Sequence, residues 1–352
     1  DYAEINDPSP FSRIGPGPEY IIKPEVSHYG GNAGVDNDGK IVSTGIKSFA
    51  QNGKVAQAVG TSFSTPRITS LAAGIQQELN EDFDPLLLKA LIIHSASYPS
   101  GMTIPECERA KQVGFGIPKS VPDIIYNSPH EATLILRDSL AKGEKIDIMD
   151  FPMPQCLIKD GFYTGQIVLT LVYDPILEPS QGIEYCQSNL DVKFGSYDTK
   201  EARDMSKRYI LNPVGRKNPQ NLLLGTVFSK KKMKEQSGDF ALQERLQIQY
   251  GDKYYPVKKY AINLAELTEK KKIEYLAKDR QWFLYLKGVY REYAERMSQI
   301  NAHPLSQEFC MVITIRDPEG KENVYDEVTQ KLDEYNFWHS NIKLSTDVNI
   351  PL

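Results

Sequence analysis

The amino-acid sequence predicts an α/β first region followed by a mainly antiparallel, β-rich second region. Two consecutive helix signals lie in the first region, and glycines cluster around them. From about residue 130 the chain changes to short β-type runs, with no helix between most of them. The 352 residues are enough for two ordinary domains. We therefore predict domains at residues 1–127 and 128–352.

Both helix signals combine a start residue with apolar residues at helical spacing. Ser64–Pro66 precedes the first periodic stretch, which predicts a helix with Pro66 in its first turn. The second helix is predicted over Leu86 to about Ser97, with Asp84 as its N-cap and Pro85 in its first turn. Because it is apolar on most sides, we expect it to be largely buried.

The second region is predicted to form a β-sandwich-like domain. Residues 132–137 and 144–149 flank a Gly-containing turn and predict a hairpin, and Ile167–Tyr173 predicts a strong buried strand. Residues 324–337 predict either a helix or a loop. Further candidate strands are Leu190–Phe194, Leu246–Tyr250, Tyr260–Leu264, Trp282–Leu286 and Met311–Arg316.

Composition bears on partners and location. The formal net charge of -5 gives no reason to expect nucleic acid or an anionic membrane surface as a partner. No run of about 18 apolar residues exists, so no membrane span is expected. The four scattered cysteines form no CxxC pair, which argues against zinc and favours reduced thiols. With no signal segment in the given chain, these features favour a cytoplasmic over a secreted location.

One motif contains a candidate catalytic residue. It is Gly60-Thr61-Ser62-Phe63-Ser64-Thr65-Pro66, at the start of the first predicted helix. A serine hydroxyl is a weak nucleophile and needs an adjacent base to take its proton. A helix entrance adds free backbone N–H groups and a positive dipole end, which can stabilise an oxyanion. A simple helix cap is the alternative role for a serine at this place.

This motif resembles the Gly-Thr-Ser-x-Ala/Ser-x-Pro nucleophile motif of the subtilisin-like serine proteases, the subtilases. Upstream, residues 22–26 resemble the family's Lys-Pro-Asp/Glu-Ile/Val strand, although Gly30 and Gly31 follow where the family has Ala-Pro-Gly. Residues 10–17 resemble the family's Phe-Ser-x-x-Gly-Pro segment, and residues 114–116 its Gly-Tyr/Phe-Gly turn. The resemblance covers about a third of the chain.

The resemblance implies a fold and an activity. The first region would be the C-terminal part of a doubly wound, mostly parallel sheet. The activity would be that of a serine endopeptidase, with Ser62 as the catalytic nucleophile. Gly60 and Thr61 would form the nucleophile and oxyanion loop together with Ser62. His28, Gly30 and Gly31 would lie beside the substrate cleft.

The resemblance also shows what the chain lacks. In subtilases the catalytic Asp and His precede the serine along the chain. His28 is the only histidine before Ser62, and its context does not match the family's His-Gly-Thr motif, so we interpret it as a loop histidine. We expect the Asp, the His and the oxyanion Asn to lie upstream of Asp1, which leaves the given chain inactive by itself. The alternative is a subtilase relic kept as a non-catalytic interaction or scaffolding module.

Expected partners follow from the same resemblance. They are a protein or peptide substrate and either the upstream half of the same protease or another copy of this chain. The missing strands would leave an open sheet edge for such pairing. No cofactor or metal is expected, and although structural calcium is common among subtilases, no acidic cluster marks a site.

Overall fold

The computed structural model describes residues 2–17, 21–198, 217–224, 227–229, 231–232, 254–335 and 340–341. The chain divides into two compact units, Asp1–Ile125 and Tyr126–Leu352. We call them the first and second units and describe each by itself.

The described residues of the first unit form four helices: α1 (Thr61–Leu79), α2 (Pro85–Ser95), α3 (Glu106–Val113) and α4 (Val121–Ile125). Helix α2 forms as predicted. The Asp84 carboxylate accepts a hydrogen bond from the Leu87 backbone N–H at 3.0 Å, and Pro85 occupies the first turn. Six of the eleven residues of α2 are buried, which confirms the prediction of a largely buried helix.

Helix α1 begins earlier than predicted. Its N-cap is Gly60, so Pro66 lies in the second turn, and the prediction that placed it in the first turn is wrong. Pro66 has no N–H, so it cannot donate to the Ser62 carbonyl four residues before it. The hydroxyls of Ser64 and Thr65 each donate to the Thr61 carbonyl at 3.0 Å. These bonds satisfy a backbone acceptor within the first turns of α1.

The strands of the first unit are β1 (Asn32–Val35), β2 (Ile41–Thr44), β3 (Ile46–Phe49) and β4 (Val55–Ala58). They form two separate antiparallel pairs, β1 with β2 and β3 with β4. Among the described residues of this unit no strands pair in parallel, so the expected doubly wound sheet is not seen. Parallel pairing needs neighbouring strands joined by a crossover, whereas these are local hairpins.

The segment at residues 22–26, expected as a strand, is also irregular in the structure. It packs against the turn that follows α3. The Phe115 N–H donates to the Glu25 carbonyl at 2.8 Å, and the Ser27 N–H donates to the Gly116 carbonyl at 2.9 Å. These bonds hold the segment in place without a flanking strand.

The described residues of the second unit form three antiparallel sheets and several helices. The strands are β5 (Glu131–Ala141), β6 (Lys145–Ile148), β7 (Ile158–Lys159), β8 (Phe162–Tyr163), β9 (Gln166–Tyr173), β10 (Ser188–Asp198), β11 (Lys217–Asn221), β12 (Val257–Asn263), β13 (Arg280–Tyr290), β14 (Ser306–Arg316) and β15 (Ser340–Asn341). The four-stranded sheet has the order β11-β10-β13-β6, the five-stranded sheet has the order β12-β9-β14-β5-β15, and β7 pairs with β8 alone. The helices are α5 (Glu269–Leu276), α6 (Glu292–Asn301) and α7 (Val324–Tyr335).

Most strand predictions for the second unit are confirmed. The segment Ile167–Tyr173 lies within β9, in which every residue is buried. Predicted strands also fall in β10, β12, β13 and β14, and the helix alternative at residues 324–337 is confirmed as α7. The predicted strand Leu246–Tyr250 lies outside the described residues.

The predicted hairpin of residues 132–137 with 144–149 is wrong. Strand β5 pairs with β14 and β15, whereas β6 pairs with β13 in the other sheet. Between them, Gly143 has a φ of 86° and the Glu144 N–H donates to the Ala141 carbonyl at 3.1 Å. This tight turn therefore passes the chain from the five-stranded to the four-stranded sheet.

Apolar side chains from the four-stranded and five-stranded sheets of the second unit share one buried cluster. Trp282 of β13 is 2% exposed, and its ring lies 5.4 Å from that of Tyr163 and 5.5 Å from that of Phe194. Leu169 and Leu171 of the five-stranded sheet belong to the same cluster. The sheets of this unit are thus held by a common core.

Two further findings concern the described residues. Within these ranges, every helix is too short or too polar to cross a membrane. Cys156, Cys186 and Cys310 are free thiols.

Candidate functional site

Ser62 is the second residue of α1, and its side chain is exposed. Its hydroxyl makes no hydrogen bond with any residue that the structure describes. The first N–H groups of a helix have no partner within the helix. The backbone N–H of Ser62 is one of these groups, so the serine offers a nucleophilic oxygen and an oxyanion donor at one residue.

The two glycine segments predicted for the site cross each other. The Gly60 N–H donates to the Gly30 carbonyl at 2.9 Å. A Cβ on Gly30 would lie 2.7 Å from the Gly60 carbonyl oxygen, closer than real Cβ atoms approach. Gly31 has a φ of 85°, and a Cβ there would lie 2.9 Å from the Thr44 carbonyl oxygen. Glycine is therefore needed at both positions for the nucleophile loop to pack against residues 30–31.

His28 is half-buried next to this crossing, and it does not hydrogen bond to Ser62. Its Nδ1 accepts a hydrogen bond from the Tyr29 backbone N–H at 2.8 Å. Burial, together with the positive charge of Arg67, lowers the pKa of His28. The lowered pKa favours the neutral ring, and because Nδ1 accepts from the Tyr29 N–H, the proton of the neutral ring lies on Nε2.

A cleft of about 920 Å³ runs past these residues within the first unit. Thr61 and Ser64, the neighbours of Ser62 in the first turn of α1, line it. His28, Gly30 and Gly31 line it as well, so the structure brings all three residues beside the nucleophile loop.

An ion-pair cluster fixes the segment that leads into His28. The Glu25 carboxylate lies 2.6 Å from the Lys89 Nζ of α2 and 3.2 Å from the Lys23 Nζ. Burial acts to raise the pKa of Glu25, but the two lysines outweigh it, and the pKa lies below its ordinary value. The Ser27 hydroxyl donates to the Val113 carbonyl at 3.0 Å. These contacts anchor one side of the His28 loop to α2 and α3.

The turn Gly114–Gly116 also supports this segment. Gly114 has a φ of 64°, and a Cβ there would lie 2.2 Å from the Pro24 carbonyl oxygen. Residues 22–26 and residues 114–116 match two separate family motifs in the sequence. In the structure the two segments pack against each other. They support the site without touching Ser62.

The described residues contain no group of three or more His, Cys, Asp or Glu side chains arranged to hold a metal ion.

Comparison with known proteins supports the resemblance over the first unit. Residues 2–121 match the family model described as the subtilase family. None of the curated proteins compared matches the chain. Over residues 2–121 the chain is therefore similar to the subtilase family.

Sequence reasoning did not link Arg67 of α1 with His28. The positive charge of Arg67 adds to the effect of burial in lowering the pKa of His28. Nothing in the local sequence indicates this effect, because the two residues lie far apart along the chain.

Proposed function

We propose that this chain carries the nucleophile segment of a serine endopeptidase that hydrolyses peptide bonds through an acyl-enzyme on Ser62. One observation carries the proposal. In a segment that matches the subtilase family, Ser62 is exposed at the start of α1, beside a cleft. The exposed hydroxyl and the free N–H groups of the first turn are the two features that acyl transfer requires.

The proposed reaction has two steps. A base takes the proton from Ser62 Oγ, which attacks the carbonyl carbon of the scissile bond. The Ser62 N–H donates to the oxyanion, and the amine leaves with a proton returned by the base. Water then attacks the ester and releases the carboxylic acid product, which restores the serine hydroxyl. No cofactor takes part in either step.

We propose that the base that takes the proton from Ser62 lies outside the residues that the structure describes. His28 is a poor base for Ser62, because its Nδ1 is engaged by the Tyr29 N–H and its Nε2 carries the proton. We assign the base, the Asp that orients it and the oxyanion Asn to an upstream half of the protease. The chain by itself then cleaves no peptide.

The surface of α1 supports a partner of this kind. Helix α1 spans nineteen residues, yet Ile75 is its one buried residue. Thr61, Thr65 and Thr69 follow each other along an exposed side of the helix. In the proposed full enzyme the upstream half covers this side and completes a doubly wound sheet. Light scattering at micromolar concentration should show self-association of the isolated chain, and a monodisperse monomer would count against this partner.

Fluorophosphonate labelling followed by peptide mass mapping tests the catalytic assignment. We expect no label at Ser62 in the isolated chain and a clear label at Ser62 in the product of the natural gene. Ser62→Ala should abolish that label. Ser70→Ala, a matched change at an exposed serine of the same helix, should leave it intact.

Two outcomes would contradict the proposal in different ways. A label at Ser62 in the isolated chain would mean that the base lies within the chain. No label in either protein would favour the alternative function, a non-catalytic interaction or scaffolding module. The observation in favour of that alternative is that no described residue hydrogen bonds to the Ser62 hydroxyl.

A further inference from the structure

We propose that Lys258 and Asn189 react to form an isopeptide bond, which crosslinks the four-stranded and five-stranded sheets of the second unit. Lys258 lies on β12 of the five-stranded sheet, and Asn189 lies on β10 of the four-stranded sheet. The Lys258 Nζ lies 2.7 Å from the Asn189 Oδ1. This modification concerns residues of the second unit alone, so it does not rest on the proposed function.

The amine is held next to the carbon that it attacks. The Lys258 Nζ donates to the Asn189 Oδ1 and to the Leu190 backbone carbonyl, each at 2.7 Å. Because a C=O bond is about 1.2 Å long, the Nζ lies within about 4 Å of the Asn189 Cγ. Reacting atoms in a near-attack geometry are about 3–3.5 Å apart. The two groups therefore need to move little before they react.

Both reacting side chains are removed from water. Lys258 is 2% exposed and Asn189 is 7% exposed. Burial disfavours the charged form of a lysine, so the neutral amine, which is the nucleophilic form, is easier to reach here than on the surface. Exclusion of water also protects the amide of Asn189 from competing hydrolysis.

Two buried neighbours fix and polarise Asn189. The Tyr173 hydroxyl donates to the Asn189 Oδ1 at 3.4 Å, and the Gln307 Nε2 donates to the Asn189 backbone carbonyl at 3.0 Å. Burial raises the pKa of Tyr173 well above its ordinary value, so the phenol keeps the proton that it donates. Donation to Oδ1 draws electron density from Cγ and stabilises the oxyanion that forms there.

The reaction needs no oxidant and no cofactor. The lone pair of the neutral Nζ attacks the Asn189 Cγ, and a C–N bond forms. The Cγ–Nδ2 bond then breaks, and the departing nitrogen takes one proton from the former amine and leaves as ammonia. The Gln307 Oε1 is buried without a hydrogen-bond partner among the described residues, and it can accept an N–H of the leaving group. The products are one amide and one ammonia.

The bond joins two strands that are open on one side. Strand β12 is the edge of the five-stranded sheet. Strand β11 pairs with β10 at Gly195–Asp198, so at Asn189 no described strand covers that side of β10. An edge strand is held by hydrogen bonds on one side only, and it separates from its sheet more readily than a central strand. The crosslink therefore prevents these two edges from moving apart.

Intact mass spectrometry of the folded chain, followed by tryptic peptide mapping, tests the proposal. We expect a mass below that of the sequence by one ammonia. Mapping should find one branched peptide that contains both Asn189 and Lys258. Trypsin should not cut after Lys258, because its Nζ is acylated.

Four variants test which groups react. Lys258→Met and Asn189→Ala should each have the full mass of their sequence. Asn189→Asp should lose one water instead of one ammonia, because a carboxyl group then supplies the leaving oxygen. Lys193→Met, a matched change at an exposed lysine of β10, should lose one ammonia like the parent chain.

The full sequence mass in the folded parent chain, after incubation at neutral pH, would overturn the inference. A loss of ammonia that persists in Lys258→Met would do the same, since another group would then account for it. The measurement on the parent chain decides the question even if a variant fails to fold. Ser62 takes no part in this reaction, so the result is independent of the fluorophosphonate test.

Discussion

The two units of the chain differ in how completely they bury their apolar residues. In the second unit, the four-stranded and five-stranded sheets contribute to one cluster, and β9 has no exposed residue. In the first unit, α2 buries six residues, while the longer α1 buries Ile75 alone. The described residues of the second unit therefore share one buried core, whereas the first unit contains a long helix that its described residues leave mostly uncovered.

The sheets show the same contrast. Phe49 and Val55 face each other across the β3–β4 hairpin and are 85% and 67% exposed. A two-stranded hairpin without a covered apolar face is marginal in water. Most strands of the second unit instead pair within sheets of four and five strands. The motifs that match the subtilase family therefore lie in the unit whose apolar residues are less fully buried and whose strands form only two-stranded pairs.

The largest expected effect is on the core of the second unit. Trp282→Ala should lower the free energy of unfolding of this unit by about 3–5 kcal/mol, because it leaves a cavity between the rings of Tyr163 and Phe194. Native-state hydrogen exchange should show the loss of protection in the second unit. Lys287→Ala, an exposed neighbour on β13, should change stability by less than about 0.5 kcal/mol. An equal loss of protection in the first unit would contradict the conclusion that this core stabilises the second unit alone.

A smaller effect is expected at the start of α2. Asp84→Ala removes the acceptor for the Leu87 N–H and should lower the stability of the first unit by about 1 kcal/mol. Urea denaturation with hydrogen exchange should locate the loss in residues of α2. Asp82→Ala, at an exposed position outside the helix, is the matched control and should have little effect. If both variants behave alike, the cap does not contribute.

The smallest expected effect concerns the Glu25 ion pairs. The folded pKa of Glu25 is lowered, so its stabilisation is fully present above its ordinary value of 4.5 and is lost as the pH falls through the folded pKa. Glu25→Gln should remove up to about 1 kcal/mol from the first unit at neutral pH and flatten its acid dependence. Thermal unfolding between neutral and acid pH measures both. Glu4→Gln, at an exposed residue, should retain the slope of the parent chain.

Features set by adjacent residues could be predicted from the sequence. Asp84 and Pro85 define the start of α2 through contacts within one turn, and the structure agrees. The observed start of α1 differs from the predicted one, because proline favours a first turn whereas the helix begins five residues earlier, after Gly60. The partner of β5 could not be predicted, because alternation identifies a strand but not its neighbour in the sheet.

For the candidate site, too, some features could be predicted from the sequence and others could not. A serine at a helix entrance could be predicted, since the motif and the helix are contiguous in the sequence. The hydrogen bond from the Gly60 N–H to the Gly30 carbonyl could not, because it joins two segments that lie far apart along the chain. Long-range contacts of this kind leave no periodic signal in the sequence.

The crossing of Gly30 and Gly60 has a consequence for protein engineering. Tyr29 is 52% exposed, so a library randomised at residue 29 should return many functional sequences. At residue 30, even a methyl group would meet the backbone of residue 60, and selection should return glycine almost without exception. Deep mutational scanning of this loop should therefore show a tolerant position directly beside an intolerant one.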